Sequence, residues 1–381
     1  MAKQIAAIIF HAPLGESAAE RVVERGRRAA ALDLISSLKA ADMARIVVVS
    51  APGESQRVFE QSDVIVFPSS GDEPFHFGET LRTLIRQERL DGVLYFGSGS
   101  GGLLSPFQLA RLLAFIRNTP FGALFNNFYS CDFAAIADAQ RLVDLELPPV
   151  DNPLGFALSD AGFPCYALPR NAASQFDIDT PTDLLLLGIT GSGGRQVQRF
   201  LHSTTLTHPH IGSVLQLLTQ RSAHVLLLGR VNPRTWADFE QAVACRTSGL
   251  VEGRGMRAAA FAADPFIHQT IQACEAEEFF RRLAKAGNAA IIDTRPLLAQ
   301  SSVLPDPGVR FASDLLDPEG MTNPQWQAFT RAAMHASIPV VLGGHSLVSG
   351  GLYLLAEASW KGKHLPRRLH PDLFDWEKEP A

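Results

Sequence analysis

The sequence predicts an α/β protein built on a mainly parallel sheet covered by helices on both faces, followed by a second, smaller α/β unit of Rossmann-like type. Three observations carry this. Short apolar runs of strand length alternate with longer segments whose apolar residues recur at helical spacing. The chain has 381 residues, more than a single core ordinarily serves. A glycine-rich stretch, residues 188–195, separates the halves. The expected division is a first unit over residues 1–188, a linker over 189–208, a second unit over 209–360 and a C-terminal extension over 361–381.

In chain order, residues 5–10 are apolar throughout and read as a buried strand. Val22, Val23, Ala29, Leu32, Ile35 and Leu38 mark one face of a helix over 17–41. Strands follow at 46–50, 64–67 and 92–96, with a helix over 79–89 before the last. A helix over 105–117 leads to the segment 122–127, a short helix over 152–161 and a strand over 164–169. Thr180 reads as an N-cap whose hydroxyl accepts a first-turn amide, Pro181 as the first helical residue and Asp183 as an acid suited to the helix dipole. In the second unit, strands are expected at 224–228, 256–262, 289–293 and 339–342. Helices are expected over 211–221, 236–245, 265–286 and 324–336.

Composition narrows the partners. The net charge of −5 (34 basic against 39 acidic residues) offers no nucleic-acid or membrane-binding surface. No apolar run reaches about 18 residues, so no membrane span is expected. The four cysteines, Cys131, Cys165, Cys245 and Cys274, form no C-x-x-C pair, which argues against a disulfide framework or a zinc site and fits a reduced, cytoplasmic protein. The 24 phenylalanines leave room for a homo-oligomer.

The stretch around which the rest is organised is Phe176-Asp177-Ile178-Asp179-Thr180-Pro181-Thr182-Asp183-Leu184. A strand edge carrying two acids runs into a helix start and presents Asp177 and Asp179 at the mouth of a sheet. Taken alone, the two acids read equally as solvated or helix-capping groups. The order Asp-Ile-Asp-Thr-Pro-x-Asp-Leu resembles the closing motif of nucleotidyltransferases of the glycosyltransferase-A (GT-A) superfamily. The nearest groups are the molybdenum-cofactor nucleotidyltransferases and the phospholactate guanylyltransferases of deazaflavin biosynthesis. The resemblance spans residues 4–188 and implies a Rossmann-type mixed sheet. It also implies a nucleoside triphosphate and a small phosphorylated or acidic acceptor as partners, and Mg²⁺ held by Asp177 and Asp179.

Two departures accompany it. The loop His11-Ala12-Pro13-Leu14-Gly15 stands where the family places its nucleotide-binding loop, yet it retains one glycine, with Arg21, Arg25, Arg27 or Arg28 as candidate cations; these also read as a solvated helix face. The run Gly97-Ser98-Gly99-Ser100-Gly101-Gly102 precedes Ser105-Pro106, and Ser100 falls where the family's metal-binding aspartate is expected. A neutral hydroxyl is a poor magnesium ligand. The loop's amides could bind an anion directly, or the run could be an undemanding turn. Asn126, Asn127 and Asp132 suit a polar second substrate or an Asx-turn network. In the second unit, Gly343, Gly344, His345 and Ser346 form its best candidate anion site.

Three functions follow: a nucleotidyltransferase with catalytic Ser100, Asp177 and Asp179, a GT-A glycosyltransferase, or a catalytically degenerate ligand-binding or assembly protein on the same scaffold.

Overall fold

Hydrophobic periodicity places two sheets in the chain, and the computed structural model, which describes residues 3–69, 75–253, 265–298, 306–319, 321–364 and 369, shows how they are joined. The first sheet comprises β1 (Ile5–His11), β2 (Ile46–Ser50), β3 (Ile65–Pro68), β4 (Gly92–Gly97), β5 (Ala123–Phe125), β6 (Phe133–Ile136) and β7 (Cys165–Ala167). The second comprises β8 (His224–Gly229), β9 (Arg246–Val251), β10 (Ala289–Asp293) and β11 (Val340–Gly343). The helices of the first half are α1 (Ala18–Ala40), α2 (Glu54–Glu60), α3 (Phe77–Glu88), α4 (Pro106–Asn118), α5 (Leu154–Asp160), α6 (Ala172–Gln175) and α7 (Pro181–Thr190). Those of the second half are α8 (Arg195–His202), α9 (Ile211–Leu217), α10 (Pro233–Ala242), α11 (Phe266–Ala286), α12 (Arg295–Leu298), α13 (Pro307–Asp314), α14 (Pro324–Met334) and α15 (Gly350–Ser359).

The first sheet runs β3-β2-β1-β4-β6-β5-β7. It is mixed: β6 lies antiparallel to both β4 and β5, with Tyr95 opposite Ala134 and Leu124 opposite Ala135. Ala7 pairs with Ile46 on one side and Leu94 on the other, which centres β1. β1 and β4 are apolar at almost every position because helices cover both their faces. Leu34, Leu38, Leu109 and Leu113 pack on one side, and Leu81, Ile85, Leu142 and Leu154 on the other. Capping boxes at Ser17 with Glu20 and at Ser105 with Gln108 fix the starts of α1 and α4.

The second sheet, β11-β10-β8-β9, is fully parallel, as its apolar runs imply. Among the described residues its fourth strand is β9, Arg246–Val251, which the sequence pattern does not mark, while the strand expected at 256–262 lies outside the described residues. β9 is an edge strand, half exposed, so its pattern lacks the apolar signature. Residues 365–368 and 370–381 of the expected C-terminal extension also lie outside the described residues.

The stretch expected as a linker is largely helical. Gly191, at φ 72°, ends α7, and α8 begins at Arg195. Asp33 of α1 accepts the Gln196 and Val197 amides, each at 2.9 Å, and so caps α8 with a side chain from the first half. The two halves share one apolar core, in which Val23 and Ala30 of α1 and Leu184 and Leu186 of α7 join Val225, Leu227, Ile291 and Val341 of the second sheet. Leu186→Ala, at a fully buried site of this shared core, should cost about 2–5 kcal/mol. Because both halves lean on it, thermal unfolding followed by near-UV and far-UV circular dichroism should remain one coincident transition at a lower midpoint.

Candidate functional site

Residues 176–183 leave α6, pass beside the carboxyl end of β4 and enter α7. The Ile178 amide donates to the Gly99 carbonyl at 3.2 Å, which docks this segment on the glycine-serine loop after β4. A Cβ on Gly99 would lie 2.3 Å from Asp177 Oδ1, so only glycine permits the approach. From the other side come the strand ends of the second sheet. The Asp177 amide donates to Ser346 Oγ at 3.1 Å, and buried Thr182 donates its hydroxyl to the Leu342 carbonyl at 2.8 Å. A Cβ on Gly344 would lie 2.9 Å from Thr180 Cγ2. The acidic turn is therefore gripped between the carboxyl ends of both sheets.

Asp183 holds the turn in shape. Its Oδ2 accepts from the amides of Asp179 at 2.9 Å and Thr180 at 2.7 Å, and from the Thr180 hydroxyl at 3.0 Å. The Thr180 hydroxyl also donates to Asp183, and the two residues form the capping box that starts α7. Burial, with the Asp179 charge adding to it, pushes the Asp183 carboxyl up to about 8. The helix start consequently holds a neutral carboxyl at pH 7, not the expected anion. Burial and the charges of Asp179 and Asp132 likewise raise Asp177 well above the usual carboxylate range, and its Oδ1 is buried without a hydrogen-bond partner. Asp179 pairs with Arg27 at 3.3 Å, and Arg27 also donates to the Ile178 carbonyl.

The remaining predicted residues are mostly committed within the chain. Ser100 is 1% exposed, and its hydroxyl donates to the carbonyls of Gly97 (2.9 Å) and Asp132 (3.1 Å). The amides of Gly97, Ser98 and Ser100 donate to Asp132, Phe10 and Gly97, so they do not form the anion cradle that the loop composition suggested. Asn126 is saturated: its carbonyl accepts from the amides of Asp132 and Phe133, and its amide donates to the Asp132 carboxylate and to Ser174. Asn127 accepts from the Tyr129 amide, completing an Asx-type turn. His11 is buried edge-on to Phe59, and burial followed by the charges of Arg27 and Arg28 lowers it to about 3, so it carries no charge at neutral pH. Ala12 is exposed. The amides of Gly15 and Ser17 both donate to the Glu20 carboxylate at 3.1 Å. The anion held by the first loop is thus a side chain of α1.

The anion loop expected in the second unit is likewise filled from within. Gly344 brings the chain against Thr180, Gly343 packs on Leu347, and Ser346 is 2% exposed while accepting the Asp177 amide. His345 sits in the same joint. Between β8 and β10, where a ligand would enter such a sheet, Arg230 grips Asp293 through Nε at 2.6 Å and Nη2 at 3.1 Å. Arg295 pairs beside it with Asp314 at 2.8 Å. Sequence reasoning missed this closure because each partner lies far away in the chain.

The Mg²⁺ implied by the resemblance can be tested on these groups. Asp177 is protonation-favoured and pressed on Gly99, Asp179 is engaged by Arg27, and the Ser100 hydroxyl is used. Among the described residues, no three His, Cys, Asp or Glu side chains converge to hold a metal ion. The arrangement does not fit a resident magnesium ion. Among the same residues, no helix is long and apolar enough to cross a membrane.

No protein-family model matches the chain, and no curated protein does. Among solved structures, the N-terminal half is similar to a nucleotidyl transferase from Methanothermobacter thermautotroptrophicus, at 18% identity over 53% of this chain and 99% of that one, with a TM-score of 0.39. A cytidylyltransferase from Leptospira borgpetersenii is similar at 13% identity, 54% and 100% coverage, and a TM-score of 0.38. CMP:2-keto-3-deoxy-manno-octonic acid synthetase, solved with CTP, follows at 11% identity, 43% and 89% coverage, and a TM-score of 0.30. These likenesses are confined to the N-terminal half and assign neither family, substrate nor activity to the chain.

Two outcomes test this geometry. With a folded pKa of about 8 against an ordinary 3.8, Asp183 contributes stability that is fully present below pH 4 and lost as pH rises through 8. His11, lowered from 6.5 to about 3, acts in the opposite direction below pH 6.5, so from 6.5 to 8 the decline belongs to the raised carboxyls, Asp183 and its neighbour Asp177, and the substitution separates them. Asp183→Asn should flatten the decline of Tm there, removing at most about 1.4 kcal/mol per pH unit, the slope of a single proton. Gly344→Ala should destabilise by about 1–3 kcal/mol in urea unfolding, because Thr180 is buried and stiff at the contact.

Proposed function

We propose that the chain is a ligand-binding or assembly protein that keeps a nucleotidyltransferase-like scaffold and has given up metal-dependent nucleotidyl transfer. The observation that carries this is Glu20, whose carboxylate takes the Gly15 and Ser17 amides at the place where the family's loop meets phosphates. The spent Ser100 hydroxyl and the closed acidic turn point the same way. Phosphoryl-type transfer depends on positioned cations and a metal to neutralise developing charge, and this rim presents carboxyls and filled amides instead. Residues 1–188 and 209–360 then act as two domains locked into one body, and a cytoplasmic location belongs to the same reading.

A working transferase is the second reading. It is favoured by Asp177 Oδ1, a buried carboxylate oxygen without a hydrogen-bond partner beside Asp179 and Asp132. If the joint opened, Asp177 and Asp179 would meet a magnesium–nucleotide complex, and the acceptor would be a small phosphorylated or acidic molecule.

Thermal unfolding with each of the four nucleoside triphosphates, in Mg²⁺ and in EDTA, separates the two. A ligand at about 100 times its Kd adds roughly 2.7 kcal/mol, which a melting scan resolves. The binding-protein reading expects any shift to persist in EDTA and in Asp177→Asn. A shift for one nucleotide that requires Mg²⁺ and vanishes in Asp177→Asn would overturn it in favour of transfer.

A further inference from the structure

Arg21, Arg25 and Arg28 recur at i, i+4 and i+7 on α1 and therefore form one stripe of that helix. Arg27, two residues past Arg25, points to the opposite side, where it meets Asp179. The stripe faces two adjoining cavities, of about 380 Å³ beside Glu54 and about 210 Å³ beside Arg199 and Phe200, and Arg25 and Arg28 line both. The three arginines span about 10 Å along the axis at 1.5 Å per residue.

The arginines are oriented by the fold. Arg28, with 13% of its side chain exposed, is fixed by Glu54 at 2.8 Å and lies 3.4 Å from Ser55 Oγ. Arg25 lies over the Phe200 ring at 5.5 Å, and Arg21 donates to the Glu16 carbonyl. Four arginines stand against the carboxylates of Glu54 and of Glu24, which accepts from Ser55 Oγ at 3.2 Å beside Arg28, and leave the groove with a formal excess of two positive charges in a chain whose net charge is −5. Guanidinium groups preset at this spacing suit several phosphate oxygens in a line.

The geometry points to a binding site for a short linear polyphosphate in this groove, formed by Arg21, Arg25 and Arg28 of α1 with Arg199 of α8. It recognises the phosphates alone. It lies on the face of α1 turned away from Asp177 and Asp179 and needs no metal, so it stands whether or not the first unit transfers nucleotides.

The test is calorimetric titration of the full chain with inorganic triphosphate in EDTA, at low and at moderate salt. The expected result is saturable binding that weakens with salt and falls about tenfold or more in Arg25→Gln/Arg199→Gln. Both side chains are exposed, so this variant keeps the fold. Asp177→Asn should bind as the unaltered chain does. ATP titrated in parallel tells the ligand's source: equal affinity assigns the groove to free polyphosphate, and tighter binding that is still lost in the arginine variant assigns it to a nucleotide's phosphates. Absence of binding by the unaltered chain would overturn the site. So would undiminished binding by the arginine variant, or binding lost only in Asp177→Asn.

Discussion

The Asp183 carboxyl, taking three hydrogen bonds from Asp179 and Thr180, sets the shape on which both halves of the molecule depend. With the turn so held, Thr182 reaches the end of β11, the Asp177 amide reaches Ser346, and the Ile178 amide reaches the loop after β4. A buried polar group without partners is costly, so these donors and acceptors specify a single docking of one sheet on the other. The leucines of α7 then supply apolar surface to the core both sheets share.

This docking also decides what the rim can do. Carboxyl ends of parallel strands are the ordinary place for a ligand, because loops and helix starts there leave amides unpaired. Here several of those amides have partners inside the chain: Gly15 and Ser17 on Glu20 in the first loop, Gly97, Ser98 and Ser100 on backbone carbonyls in the second, and Asp177 on Ser346 at the acidic turn. Burial, with the charge of Asp179, raises the carboxyls of both Asp177 and Asp183 above the usual carboxylate range. The groove of α1 offers the reverse: oriented cations in excess of the nearby carboxylates, and open volume.

Much of the fold was legible because it rests on local patterns. The fully apolar runs of β1, β2, β4, β8 and β10 announce buried strands, and Thr180-Pro181 announces a helix start. β6 was not legible, since Phe133-Ala134-Ala135-Ile136 is short and mostly small, and its antiparallel pairing is decided by its neighbours. α8 was hidden by the glycines before it, which read as a linker although Asp33, far away in sequence, caps the helix they introduce. Asp177 and Gly99 were legible as neighbours and do meet, whereas Gly344, read as part of a separate anion site in the second unit, packs against Thr180 of the same turn. Their state was not legible. Whether an amide or carboxylate is free depends on contacts such as Asp177 with Ser346, 169 residues apart, which no local pattern encodes. The arginine stripe was visible as i, i+4, i+7 spacing, but α8 and Phe200 are needed to turn a charged face into a groove.

The central claim is that the acidic turn is a structural joint and not an open site. Native-state amide hydrogen exchange at Asp177, Ile178 and Thr180 tests it directly. The account predicts that these amides exchange as slowly as those of β10, opening only when the shared core opens. Fast exchange at these three positions, with β10 still protected, would contradict it and return the turn to the solvent-facing role of a binding site.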